Sequence, residues 1–154
     1  MSIKTNAMRI LERLKIDYTE HTYDGVVSGV DVARVLNQNP DNVFKTLVTV
    51  GNSGEHYVFI VPVEKELDLK KGAKLVGEKW VEMIKSKELL PLTGYIHGGC
   101  SPFGMKKQFK TIAHISAEGL SKMFVSGGKI GIQVEIPPAA LARGVGCTFH
   151  DIIK

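Results

Sequence analysis

Two apolar, β-branched runs, Val43 to Val50 and His56 to Val63, are separated only by Gly51-Asn52-Ser53-Gly54-Glu55. A short polar connector with two glycines between two such runs is a hairpin signal. It commits the middle of the chain to an antiparallel pair. The remaining elements must then supply further strands to extend that pair and helices to cover it.

The rest of the chain provides both. Residues 5 to 15 carry Ala7, Ile10, Leu11 and Leu14 at the spacing of an amphipathic helix, with Thr5 or Ser2 as its cap. Tyr18 to Tyr23 reads as a short strand and Val30 to Leu36 as a helix with Asp31 near its start. Pro40 and the surrounding asparagines stop that helix. Leu67 to Val76 reads as a helix weakened by Gly72, and Glu82 to Leu90 fits either class. Thr111 to Ile115, Lys122 to Val125 and Gly131 to Ile136 read as strands. Pro137-Pro138 opens a last helix, Ala139 to Val145, which Gly144 and Gly146 end. Strands and helices are mixed without a regular βαβ alternation. The expected class is α+β, one domain over residues 1–154, with a curved and largely antiparallel sheet flanked by helices.

At 154 residues such a domain buries enough surface to need no staple. The two cysteines, Cys100 and Cys147, are too few for a secreted disulfide framework. No apolar run suits a secretory leader or a membrane span. The expected setting is the reducing cytoplasm. The net charge of +4 suits a phosphate-bearing partner without requiring one. Lys70, Lys71 and Lys74 form one basic cluster and Lys106, Lys107 and Lys110 another. Either could track a nucleic-acid backbone or be a solvated face.

Three segments can carry chemistry. In VFKTLVTV, Lys45 interrupts an apolar strand, so it either meets solvent or projects a point charge into a pocket beside Thr46. In Gly98-Gly99-Cys100-Ser101-Pro102-Phe103-Gly104, the glycines let the backbone approach a ligand, and free N–H groups there suit an oxyanion; a plain turn is the alternative. In Val125-Ser126-Gly127-Gly128-Lys129-Ile130-Gly131, Ser126 can place a hydroxyl beside a ligand or simply serve the turn. His97 lies three residues from Cys100, but no third orienting residue is marked out, and a packed cysteine is the preferred reading. The histidines show no metal-ligand spacing, so neither a metal nor another cofactor is expected.

In this order and spacing, HTYDG, VFKTLV, TGYIHGGCSPFGMKK, VSGGKIGIQVEI and the DIIK tail resemble the YbaK/EbsC family of Cys-tRNA(Pro) deacylases. That family is itself similar to the editing domain of bacterial prolyl-tRNA synthetases. The resemblance covers nearly the whole chain. It implies a mixed, barrel-like sheet with helices around it. It also implies removal in trans of cysteine mischarged on tRNA(Pro), with aminoacyl-tRNA and prolyl-tRNA synthetase as partners.

By the same resemblance, Lys45 holds the aminoacyl ester or a terminal phosphate, and the backbone of Gly98 and Gly99 faces the substrate carbonyl. Ser126, Gly127, Gly128 and Thr46 line the pocket, and Tyr23 stacks on the terminal adenine. The family mechanism lets the substrate's own thiol attack its ester, which leaves Cys100 a bystander. Some relatives are longer after the HTYDG-like motif and carry an aromatic residue there. This chain has a short loop, Gly25 to Gly29, with Ser28 in that place. Competing expectations are an editing hydrolase for another small residue such as alanine, and a tRNA- or synthetase-binding module without chemistry.

Overall fold

The predicted hairpin forms in the computed structural model, which describes residues 4–24 and 29–154; Ser28 and the short loop read around it lie outside the described residues. Strands β2 (Phe44–Gly51) and β3 (His56–Pro62) pair antiparallel from Phe44 opposite Pro62 to Val50 opposite His56. They form the centre of a five-stranded sheet in the order β4-β2-β3-β5-β8. Here β4 is Val81–Met83, β5 is Lys110–His114 and β8 is Thr148–His150. The contacts of β5 with β3 and of β8 with β5 are parallel. A second, antiparallel sheet has the order β1-β7-β6, from Thr19–Thr22, Ile132–Ile136 and Met123–Ser126. A parallel bridge between Val43 and Phe124 joins the two sheets. The result is the mixed, curved sheet expected from the sequence, with more parallel pairing than a hairpin-based reading supplies.

Among the described residues five α-helices surround it: α1 (Asn6–Arg13), α2 (Gly29–Val35), α3 (Leu69–Val76), α4 (Ser86–Thr93) and α5 (Ala139–Val145). Thr5 caps α1 by accepting from the Met8 N–H at 3.1 Å, and α1 buries Ala7, Met8 and Leu11. The ambiguous stretch 82–90 divides between β4 and α4. Gly72 serves packing in α3: a Cβ there would lie 3.0 Å from the Phe59 ring.

Strand alternation sorts the interior. Phe44 and Val48 of β2, Val58 and Ile60 of β3, and Val125 and Val134 of the second sheet share the main core. On the outer face of β3, Phe59 and Val61 join Ala73 of α3, Ile112 and Ile152 in a second cluster. A third cluster brings Val32 and Ala33 of α2 onto Val43, Val63 and Phe124.

Candidate functional site

The turn between β6 and β7 is the meeting point of distant segments. Gly127 donates its N–H to the Ile132 carbonyl at 2.9 Å. Its own carbonyl accepts from the Thr5 hydroxyl at 2.5 Å. The Gly128 N–H donates to Ser126 Oγ at 3.2 Å. The Tyr23 N–H donates to the Gly131 carbonyl at 2.9 Å. Gly99 is pressed against the same turn, since a Cβ on it would lie 3.0–3.2 Å from the backbone of Lys129 and Ile130. A Cβ on Gly98 would meet the Ile130 side chain at 3.5 Å. Tyr95 braces both loops: its hydroxyl donates to the Phe103 carbonyl at 2.5 Å, and its ring lies 3.1 Å from a Cβ built on Gly128.

Lys45 reaches this place through register. The Val43–Phe124 bridge is parallel, so two residues further along each strand Lys45 comes level with Ser126. Val43 and Phe124 share the α2-side cluster, and alternation puts Lys45 and Ser126 on that same outer face. Lys45 is half-buried, between the α2-side cluster and the α3-side cluster. It makes no hydrogen bond or ion pair among the described residues. The edge of β2 from Phe44 to Leu47 also lacks a ladder partner among the described residues, because β4 pairs only with Thr49 to Gly51.

The structure thus gathers Tyr23, Gly98, Gly99, Ser126, Gly127 and Gly128 around one turn and sets Lys45 beside it. Thr46 does not share this face. Adjacent strand residues point to opposite sides, so Thr46 turns to the side of Phe44 and Val48, where its hydroxyl is buried and without a hydrogen-bond partner. The structure therefore does not bring the Thr46 side chain together with Lys45 on the outer face. The glycines also divide their work. The Gly99 N–H is spent on the Ile96 carbonyl at 2.9 Å, and both backbone groups of Gly127 are engaged. The Gly98 N–H has no internal acceptor among the described residues, and Gly98 is exposed.

Sequence reasoning missed a polar row on this face. Ser126 is paired across the strands with Gln133, and Gln133 with His21. Gln133 is 6% exposed, and its side-chain oxygen is buried without a partner. His21 Nε2 lies 2.9 Å from Glu135 Oε1, and its ring meets Phe124 edge-on at 5.2 Å. Lys122 Nζ is 3.2 Å from the other Glu135 oxygen. Burial pushes the Glu135 carboxyl up, but the hydrogen bonds from His21 and Lys122 outweigh it and hold it below its ordinary value. A glutamine inside the apolar run GIQVEI was the available signal.

Neither cysteine is poised to react. Cys100 and Cys147 are buried, and burial pushes both thiols up to about 12. His97 is exposed, and no hydrogen bond joins it to Cys100 among the described residues. Among the described residues, no group of three or more His, Cys, Asp or Glu is arranged to hold a metal, and no helix is long and apolar enough to cross a membrane.

The aminoacyl-tRNA editing domain family matches residues 25–143. The chain is 48% identical over 152 residues to EbsC of Enterococcus faecalis, provisionally named a Cys-tRNA(Pro)/Cys-tRNA(Cys) deacylase; the match covers 97% of this chain and 93% of that protein. It is 25% identical over 115 residues to a proline–tRNA ligase of Pelobacter propionicus, covering 75% of this chain and 20% of the ligase. A solved structure described provisionally as a trans-editing enzyme for prolyl-tRNA synthetase superposes with a TM-score of 0.84 at 24% identity, covering 99% of both chains.

Proposed function

The chain belongs to the aminoacyl-tRNA editing domain family, and from that premise we propose that it removes cysteine wrongly attached to tRNA(Pro). It acts in trans, as one editing domain, in the cytoplasm and alongside prolyl-tRNA synthetase.

The observation that supports this reading is a site that holds a lysine and backbone donors and, among the described residues, no cysteine thiol. A half-buried, unpaired lysine stands beside a free backbone N–H and a serine hydroxyl, while both cysteine thiols are buried in the core. The nucleophile is then the substrate's own thiol. A free thiol, with a pKa near ~8.5, is a few per cent ionised at neutral pH and strongly nucleophilic. It attacks the ester carbonyl carbon; a carbon–sulfur bond forms and the carbon–oxygen bond to the ribose breaks. The thiol proton ends on the departing ribose oxygen, and the products are a cyclic thiolactone and free tRNA.

The protein's part is positioning and charge. Lys45 holds the ester or the terminal phosphate, and the Gly98 N–H meets the developing oxyanion. Ser126, with the Gly127-Gly128 backbone behind it, bounds the pocket. Tyr23 supports the terminal adenine by stacking. Gly99 shapes the loop by close approach. Proline has no thiol and cannot follow this route, so shape and chemistry reject it together.

The test is release of amino acid from Cys-tRNA(Pro), Ala-tRNA(Pro) and Pro-tRNA(Pro), with recovery of the thiolactone. Loss of cysteine alone, with thiolactone formed, is expected. Comparable loss of alanine would replace self-attack by activated water, and no release from any substrate would leave a binding module.

A further inference from the structure

Trp80, the single tryptophan of the chain, is 49% exposed. It lies in a groove of about 430 Å³ between α3 and the segment entering β4, with Leu69, Lys70, Lys74 and Lys79 around it. None of the three ammonium groups has a hydrogen bond or ion pair among the described residues. Their neighbour Lys71 differs: it is held 2.9 Å from Asp151 and donates to the Ile153 carbonyl at 2.7 Å. The one acid of the groove, Glu78, is likewise engaged, accepting from the Ser53 hydroxyl at 2.5 Å and the Tyr57 hydroxyl at 2.6 Å.

Like charges four apart on a helix, as Lys70 and Lys74 are, repel and destabilise it. An exposed indole beside uncompensated lysines has the chemistry of a stacking platform flanked by phosphate contacts. Its position fits a long substrate. The Trp80 carbonyl accepts from the Asn52 N–H at 3.1 Å, next to the last residue of β2. Lys45 stands six residues back from Gly51, ~20 Å along an extended strand, on the face that α3 packs against.

We propose that this groove binds an RNA strand outside the aminoacyl site, the indole stacking on a base and Lys70, Lys74 and Lys79 meeting the adjoining phosphates. The proposal rests on the editing reading only for the expectation that the partner is RNA. Uncharged tRNA carries no ester, so its binding is scored whether or not deacylation is observed.

Trp80 emission reports the contact directly. Titration of the intact protein with uncharged tRNA is expected to quench it. The Lys70→Ala/Lys74→Ala/Lys79→Ala protein is expected to bind at least about 10-fold more weakly, with a salt slope smaller by about 2 to 3. Trp80→Leu is expected to weaken binding by about 5-fold or more. Removing three charges from α1 and the residue ahead of its cap (Lys4→Ala/Arg9→Ala/Arg13→Ala) is expected to cost less than about 3-fold. None of these variants is expected to slow cleavage of a short cysteinyl ester of adenosine, which does not reach the groove. Emission unmoved while tRNA binds, or equal losses in the two triple variants, would overturn the proposal. Emission that answers to prolyl-tRNA synthetase but not to tRNA would give the groove to a protein instead.

Discussion

The two sheets treat their outer faces differently. Over the five-stranded sheet, Phe59, Val61, Ile112 and Ile152 are closed under α3. Over the three-stranded sheet, α2 covers Phe124, but the neighbouring row of His21, Gln133 and Ser126 is polar, and Gln133 keeps a buried oxygen without a partner. One face is finished as structure. The other carries the polar row, and beside Lys45 the edge of β2 has no ladder partner among the described residues. Burying an unpartnered polar atom costs about 1–3 kcal/mol. On the α3 side the buried polar groups are engaged, the Thr49 hydroxyl donating to the Tyr57 carbonyl and His114 accepting from the Ile152 N–H, so the two faces differ in whether their buried polar atoms find partners among the described residues.

The largest effect separating the faces is expected from Phe59→Ala, which empties the closed side. It should lose about 3–5 kcal/mol of stability by chemical denaturation, and an unchanged midpoint would break the comparison. Next is Lys45→Ala. It should leave the denaturation midpoint nearly unmoved and lower deacylation by about 10²-fold or more, read in single-turnover assays. Gly99→Ala forces a Cβ into the Lys129–Ile130 backbone. A loss of about 1–3 kcal/mol is expected, together with lowered activity, because the loop and the turn move as one.

Acid sharpens the contrast on the structural side. His114 is buried, and its Nδ1 accepts from the Ile152 N–H at 3.3 Å, which requires a neutral ring. Burial lowers its pKa from 6.5, against the pull of Asp151. The unfolded chain therefore binds this proton first. Stability is full above pH 6.5 and falls as pH drops below it toward the lowered folded value. The melting temperature should decline in that window, and His114→Gln should flatten the decline. The smallest effect belongs to Thr46→Val. Replacing a buried hydroxyl that has no partner should leave stability equal or slightly raised and activity unchanged; a large activity loss would return Thr46 to the pocket.

Much of this was legible before the fold. The hairpin, the capped α1, the Pro-initiated α5 and the glycine-rich turns at Gly98-Gly99 and Gly127-Gly128 follow from local pattern. Register does not. That Thr46 faces away from Lys45, and that Gln133 stands between Ser126 and His21, depends on how strands separated by a hundred residues align. The division of labour between Gly98 and Gly99 depends on which N–H the Ile96 carbonyl takes. Strand β8 was also missed, because Thr148 to His150 is too short to show a period and forms by parallel addition beside β5. The stretch at 82–90 was ambiguous because two short elements share it, one of them a helix containing Pro91.

The hydrogen bond from Thr5 to Gly127 spans 122 positions, and it has a consequence for biosynthesis. A chain emerging from the ribosome carries Lys45 and the hairpin well before it carries the turn at Gly127 that Thr5 holds. The segments gathered around that turn come together only once translation has passed it.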